Sequence, residues 1–501
     1  MSEIEIKFAT KADAVSAFNR QILPALTAQG ALVSEAVEKR LQNDYYDTPE
    51  HLFEKHKIGF RVRGVNGQYE QTVKTNGKVT GGLHERAEYN IPLVQNEPDL
   101  ALFDKAVWPE GWNIDEINGQ LARQFSTHFT RTAYIVEIND AKIELVFDVG
   151  DAITDKASSP IQEIELELLE GEVHALFVLA TLMLGHIPMR LSDVSKAARG
   201  YQLLHGSARK VSPLPELLPV QADSTTQHTF VQAMQCALSH WQHHEHLFLE
   251  TKSVKMLGEV ASGIRMLKQT VTLFLQALDC PELQALHRQL VSFEKRWVWQ
   301  DDLQSLRYLM SKKSVFNKGL SRQPSLLSYL QGRQAGLLHA HAPDKLFFAA
   351  ESTRIKLVIL EILASKPWLK TNDNGNQPMM SFAKVWLTSG WQSMQQCMPD
   401  SKTMHSVDYI ASEPKLSQAL MTGFVLANLF ASARGQYRAP WLDLMAGIDE
   451  LKALKMLQRS LKESDLEAHE DLSHWAEEKV TNLLNVMERS RQVALHAEVY
   501  W

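Results

Sequence analysis

SEIEIKF, residues 2–8, decides the reading of the first half of the chain: Ile4, Ile6 and Phe8 alternate with Glu3, Glu5 and Lys7. Strict alternation marks a strand with two unlike faces. The same period returns further on. Phe60 and Val62 alternate with Arg61 and Arg63; Ile143, Leu145 and Phe147 with Glu144, Val146 and Asp148; Ile164, Leu166 and Leu168 with Glu163, Glu165 and Glu167. Turn pairs punctuate the runs at Asn66-Gly67, Asn76-Gly77, Gly81-Gly82 and Asn139-Asp140, and Asn66-Gly67 reads as a tight hairpin. Eight strands are expected, over 2–8, 32–46, 58–65, 68–75, 82–91, 129–138, 141–149 and 161–169. Short helical pieces are expected near 11–28, 98–106, 172–184 and 195–204.

Beyond Val211 the period changes. SPLPELLPVQ, with three prolines in ten residues, reads as a linker. From about 225 to 501 the apolar residues recur at helical spacing, as in RIKLVILEILA and LSQALMTGFVLANLFASA. Roughly eight to ten helices and no strand are expected there. The domain reading is therefore 1–206, a linker at 207–222, and an all-α domain over 223–501.

The bulk numbers narrow the field. The 501 residues are 45% hydrophobic and 22% charged, an ordinary globular balance. A net charge of −7 argues against wholesale nucleic-acid binding. The three cysteines, Cys236, Cys280 and Cys397, form no CxxC pair and fit a reducing compartment. The N-terminal residues lack the apolar core of a signal peptide, and no run reaches the roughly 18 apolar residues of a membrane span. A cytoplasmic protein without a membrane partner is expected. Neither GxxxxGK[ST] nor GxSxG occurs, which weakens P-loop and nucleophile-elbow readings.

The charged strand faces need a place. On one strand, Glu163, Glu165 and Glu167 make an ordinary solvated face. As a set with Glu3, Glu5, Lys7, Arg61, Arg63, Glu70, Thr72, Lys74, Arg86 and Glu88 they do not, because like charges on neighbouring strands repel unless they hold a counter-charge. A closed barrel with its apolar faces turned out under short helices would line a tunnel with them. Its natural guest is a highly charged anion together with a divalent metal. Arginine grips phosphate oxygens bidentately, and carboxylates bind hard ions such as Mg²⁺ or Mn²⁺.

At this point the residues match a family. EIEIK resembles the ExExK motif of the CYTH superfamily of triphosphate tunnel enzymes. GFRVR (59–63), QTVK (71–74), HERAEY (84–89), FTR (129–131), FDVG (147–150), QEIELEL (162–168) and LSDVSKAARGY (191–201) continue it in order. The two-part layout resembles bacterial inorganic triphosphatases in which a CYTH domain precedes a helical CHAD domain. The resemblance implies a closed eight-stranded antiparallel barrel with covering helices, an α+β domain, followed by an all-α domain. It implies hydrolysis of inorganic triphosphate to pyrophosphate and phosphate. Thiamine triphosphate hydrolysis, class IV-type adenylate cyclisation, or phosphate and polyphosphate binding without turnover are alternatives in the same tunnel. It implies metal ligands at Glu3, Glu5, Asp148, Glu163 and Glu165. Substrate contacts fall to Lys7, Arg61, Arg63, Lys74, Arg86, Arg131 and Lys196, and catalytic roles to Glu3, Glu5, Lys7, Lys74 and Lys196. Glu85 replaces Arg86 and Glu88 if that strand's phase is off by one, and Glu167 lies on the face of Glu165 or on a solvated rim.

The helical half departs from the CHAD pattern of a histidine followed by several arginines. LGEVASGIRMLKQTVTLF (257–274) keeps Arg265 and Lys268, so a scaffold role stands beside polyphosphate binding. His240 and His244, four apart, share a helix face as zinc-binding pairs do. With no third ligand nearby in sequence, they read as surface or cap-flanking histidines. Trp297, Trp299, Trp386, Trp391 and Trp441 read as core and inter-helix packing.

Overall fold

The computed structural model describes residues 2–11, 13–206, 210–430, 434–464 and 470–501. Residues 207–209 of the expected linker thus lie outside the described residues.

The alternating segments form one closed antiparallel barrel. Its eight strands are β1 (Ser2–Thr10), β2 (Val37–Asp47), β3 (Gly59–Val65), β4 (Gln68–Lys74), β5 (Leu83–Leu93), β6 (Ala122–Ile138), β7 (Ala141–Ile153) and β8 (Ser158–Glu170). Round the ring the order is β1, β8, β7, β6, β2, β3, β4, β5, and β5 pairs back onto β1 to close it. Three short strands, Leu32–Val33, Lys78–Thr80 and Met189–Leu191, pair onto β6, β5 and β1. Two hairpins close as their turn residues require. Asn66 and Gly67 have φ of 51° and 80°, and Asn139 and Asp140 have φ of 49° and 57°, the left-handed pairs of a two-residue turn that matches strand twist.

Register puts every expected charged position on one face. Lys7 pairs with Glu165, Glu5 with Glu167, Glu163 with Asp148 and Arg131 with Asp148. Glu3 pairs with Arg86 and Lys74 with Glu88. Directly paired residues share a sheet face, so these groups line the interior. The intervening apolar residues point outward and are covered. Phe60 and Val73 join Phe53, Phe103 and Trp108 in a core outside the wall. Phe18, in a helical stretch before β2, packs on Tyr134 and Phe147 with ring centroids at 4.7 and 5.5 Å. Because both faces are buried, the barrel strands carry few exposed apolar side chains.

Two helices complete the covering: α1 (His174–Leu184) and α2 (Lys196–His205). Ser195 caps α2, its Oγ accepting from the Ala198 N–H at 3.0 Å, which makes Lys196 the first helical residue. Gly200 lets α2 touch the wall, since a Cβ there would stand 2.1 Å from the Phe125 ring.

The rest is helical. It comprises α3 (Thr226–Thr251), α4 (Lys255–Phe274), α5 (Pro281–Glu294), α6 (Trp299–Met310), α7 (Pro324–His341), α8 (Ala350–Ser365), α9 (Met380–Cys397), α10 (Ser406–Leu426), α11 (Arg434–Glu463) and α12 (Glu470–His496), with shorter turns between. Trp297, Trp299, Trp386 and Trp441 are buried, as packing residues should be. Among the described residues no helix is long and apolar enough to cross a membrane.

The chain forms two compact units: Met1–Lys210 with Asp344–Ala364, and Val211–Pro343 with Ser365–Trp501. The single boundary expected near 207–222 assigned Asp344–Ala364 to the helical domain, whereas this segment groups with the barrel. There Thr353 Oγ1 donates to the Met189 carbonyl at 2.7 Å, and the Phe348 ring lies 4.6 Å beneath the Lys11 ammonium. Such long-range contacts leave no local mark in sequence.

Candidate active site

The barrel interior holds two differently balanced groups of charge. In the first, Asp148, Glu163 and Glu165 face Lys7, Arg131 and Lys196. Arg131 forks onto Asp148, Nε to Oδ1 at 2.8 Å and Nη2 to Oδ2 at 2.7 Å, and reaches Glu165 at 3.0 Å. Lys196 ties to Asp148 at 2.7 Å, to Glu165 at 3.1 Å and to Glu163. Lys7 meets Glu165 at 2.6 Å. All three carboxylates are buried, and burial alone would raise Asp148 and Glu165. Instead Lys196 and Arg131 hold Asp148 below its ordinary value, and Lys196, Lys7 and Arg131 hold Glu165 well below. Burial likewise opposes the charges on Lys7, Lys196 and Arg131, yet their acidic partners keep all three above the ordinary range. This group is neutralised from within.

The second group carries surplus acid. Glu3, Glu5, Glu88 and Glu167 line the wall opposite Lys74, which bonds Glu3 at 2.8 Å and Glu88 at 2.6 Å. Arg61 stands 3.7 Å from Glu88. Burial pushes Glu3 up to about 8 despite Lys74, with Glu88 and Glu5 adding to the rise. Glu88 goes the other way: Lys74 and the hydrogen bond with Glu3 overcome its burial and hold it at about 2. One proton is therefore kept on Glu3, between the two. Burial and Glu144 push Glu167 up to about 7. Carboxylates that hold protons near neutrality are short of positive charge.

Arg63 supplies the complement. Its Nε donates to the neutral Asn43 Oδ1 at 2.8 Å, and no carboxylate among the described residues, its cross-strand neighbour Glu70 included, forms an ion pair with it. Burial, then Arg61 and Arg131, pull it down to about 9. A guanidinium in this position keeps donors that no acid has taken up.

Every expected site residue thus lies on the interior face. The phase of β5 resolves for Arg86 and Glu88, and Glu85 pairs with Ile4 on the outer face. Arg86 bonds His84 Nδ1 at 2.7 Å instead of an acid, and burial, with Lys7 nearby, pulls His84 down to about 4. Glu167 joins the interior face rather than the rim, opposite Glu5. Sequence reasoning missed Asn43 and Thr127, bonded at 2.9 Å behind Arg63, and also His84. HERAEY contained the last of these. VEKRLQNDYYD is polar on both faces, so its alternation gave no phase for Asn43.

Acidic clusters are real: Asp148, Glu163 and Glu165 bring one oxygen each within 4.8 Å of one another. The donor set is all oxygen, which suits a hard divalent ion. In that cluster Lys196 already stands among the three acids, while the surplus on Glu3, Glu5, Glu88 and Glu167 remains to be met.

In the helical unit the two bases kept from the basic pattern are already engaged. Lys268 bonds Glu294 at 2.7 Å, and Arg265 lies 3.5 Å from Asp301 and 3.9 Å from Glu294.

A closed antiparallel barrel with a charged, internally paired lumen is what the fold and the site define. Residues 1–201 match the CYTH domain family, and this part of the chain is a CYTH domain. Over 164 residues the chain is 40% identical to an inorganic triphosphatase of Haemophilus influenzae. That stretch is 32% of this chain and 46% of the relative, so the match spans about half the length of the curated protein. Among solved structures, a Hippeastrum protein described as having a dominant triphosphatase activity is 20% identical, covering 40% of this chain and 95% of its own, with a TM-score of 0.28. A CHAD domain from the plant Ricinus communis is 14% identical, covering 58% and 99%, with a TM-score of 0.43.

Proposed function

We propose that the barrel hydrolyses inorganic triphosphate to pyrophosphate and phosphate with the help of Mg²⁺ or Mn²⁺. One observation carries the reading: a single lumen presents an arginine with no ion-paired carboxylate among the described residues beside a wall on which Glu3 and Glu167 retain protons. A lone polyanion would satisfy the first and repel the second. A metal-bound polyphosphate satisfies both. The triphosphatase relative at 40% identity supports the same substrate class.

Arg61, Arg63, Arg86 and Arg131 are the grips for phosphate oxygens, together with Lys7. Glu3, Glu5, Asp148, Glu163 and Glu165 are the donors for the ions. When bound, the ions offset the anion's charge and lower the pKa of an attacking water. Phosphoryl transfer asks the protein mainly for in-line positioning and charge neutralisation. Glu3 and Glu5 accept hydrogen bonds from the water and orient it. Of the two ammonium groups expected to donate to the leaving phosphate, Lys74 is the freer. Its side chain is 26% exposed within the lumen, against 7% for Lys196, which is held by three acids. In the helical unit, the engagement of Arg265 and Lys268 favours a scaffold role over polyphosphate binding.

The test is phosphate release by the full chain from tripolyphosphate, thiamine triphosphate and ATP, each with Mg²⁺ and Mn²⁺. The expected result is the highest kcat/KM for tripolyphosphate. Binding of tripolyphosphate with no release under either metal would leave a capture module. A higher kcat/KM for thiamine triphosphate would change the substrate.

A further inference from the structure

His240 and His244 are not surface histidines. They lie on α3 with 6% and 0% of their surface exposed, and their rings stand 4.2 Å apart. The third group missing from the local sequence comes from α4. Glu259 Oε2 is 3.2 Å from His240 Nε2. Ligand atoms of all three residues lie within 4.8 Å of one another. Gly263 shows how closely the two helices approach, since a Cβ there would meet the Trp241 backbone nitrogen at 2.9 Å.

A plain ion pair between His240 and Glu259 accounts for two of the three. It does not account for His244. The Nδ1 of His244 is 2.8 Å from the His240 carbonyl oxygen. A carbonyl only accepts, so Nδ1 carries the proton and Nε2 is the bare nitrogen. That lone pair is buried and has no hydrogen-bond partner among the described residues, a costly arrangement unless something outside the chain meets it. A ring fixed by its Nδ1–H on a backbone carbonyl, with Nε2 free, is how metal-bound histidines are oriented.

We infer that His240, His244 and Glu259 form a binding site for a divalent transition ion of the Zn²⁺ class, clamping α3 to α4. Two imidazoles and a carboxylate are three ligands of the tetrahedral set that zinc prefers, with a fourth place for water. Ligand atoms in such a set stand about 3.3 Å apart for metal–ligand distances near 2.0–2.1 Å, close to the His240–Glu259 separation. The Glu259 side chain is 31% exposed, which gives the ion a way in. The donors also separate this site from the barrel: imidazole nitrogen favours zinc and its neighbours, and the all-oxygen lumen favours Mg²⁺.

The test uses the full chain, stripped with a chelator and titrated with Zn²⁺ against a chromophoric competitor in excess Mg²⁺, so that oxygen sites are filled. The unchanged chain is expected to hold one Zn²⁺ more than His244→Gln. Glu259→Gln is expected to weaken that ion by more than the about 10- to 100-fold that loss of an outer partner costs. Hydrolysis of tripolyphosphate with Mg²⁺ should be unchanged in both variants. Melts in chelator report folding. Should His244→Gln fail to fold, Glu259→Gln, at the half-open edge of the site, decides alone. Zn²⁺ held equally tightly by that variant and the unchanged chain overturns the inference, as does an unchanged chain that takes up no Zn²⁺ beyond its Mg²⁺-competed sites.

Discussion

Replacing Arg63 by Met should make the free protein more stable and a worse catalyst. The side chain is drawn from its ordinary 12.5 to about 9 by burial and by the like charges of Arg61 and Arg131. At about 1.4 kcal/mol per pH unit, that drop sets a ceiling of about 5 kcal/mol on the folding penalty. The sign follows from which state binds the proton less readily. For a base whose folded-state value is depressed, the penalty is present in full below about 9 and fades only as the pH rises towards 12.5, so folding at neutral pH carries all of it. Two corrections shrink the gain: water reaches the half-buried guanidinium, and Asn43 loses the hydrogen bond it accepts at 2.8 Å. A net gain of about 1–3 kcal/mol remains, or about 2–12 °C in Tm for a domain of this size. Activity should move the other way. A hydrogen bond to a charged group is worth about 1.5–3 kcal/mol, which corresponds to a loss of about 10- to 150-fold in kcat/KM. Thermal melts with and without tripolyphosphate, beside phosphate-release kinetics, read both quantities. A variant that melts lower and turns over normally would make Arg63 a structural strut and remove the main support for the anion site.

Four further outcomes are expected. Glu5→Gln should abolish metal-dependent turnover with its melt within about 1 kcal/mol of the parent; normal turnover would refute ligation by this wall. Glu165→Gln should also abolish turnover, but at a cost of about 3–5 kcal/mol in stability, because Lys7, Arg131 and Lys196 all lean on Glu165; an unchanged melt would show that these three cations do not depend on Glu165 for their counter-charge. Mg²⁺ binding at pH 7 should release protons, since Glu3 and Glu167, raised to about 8 and about 7, hold them in the free protein; binding heats that do not vary with buffer ionisation enthalpy would contradict this. A protein ending at residue 206 should retain turnover but melt below the full chain, because it lacks α8 and the Thr353 bond to Met189; an equal melt would show that α8 adds nothing to the barrel.

The same raised acids set a pH dependence of stability in the metal-free protein. Glu167 has a folded-state value above its unfolded one, so its contribution is complete below about 4.5 and is lost as the pH climbs through about 7. Glu3 pulls in the same direction up to about 8. Glu88, held at about 2, works oppositely: its share is present above 4.5 and is lost only in strong acid. Between about pH 5 and 7 Glu88 is ionised in both states and adds no slope, so Glu3 and Glu167 act together there. Melts of metal-free protein should fall across that interval, and Glu167→Gln should cut the slope by about half. A slope unchanged by that substitution would place the titrating group elsewhere.

What the sequence revealed and what it hid divide along a physical line. Period-two alternation in SEIEIKF and IQEIELEL fixed the strands and their unlike faces, because a β-strand turns its side chains over at every residue whatever the partner. It also put Glu3, Arg63, Asp148 and Glu165 on one surface. In HERAEYN and VEKRLQNDYYD both faces are polar, so phase was open until pairing with Glu3 and Thr127 decided it. Pairing itself was invisible. Lys196 was legible as a basic residue on a closing helix, but not as the cation that already stands among Asp148, Glu163 and Glu165. Glu259 was hidden for the same reason, since it meets His240 across two helices and not along one. The consequence for chemistry is direct. A list of acids and bases in a tunnel says that ions bind there. Only the contacts say which charges are already spent on each other, and hence that Arg63 and the wall around Glu3 and Glu167 carry the unmet charge of both signs on which the proposed binding of a metal-bound anion rests.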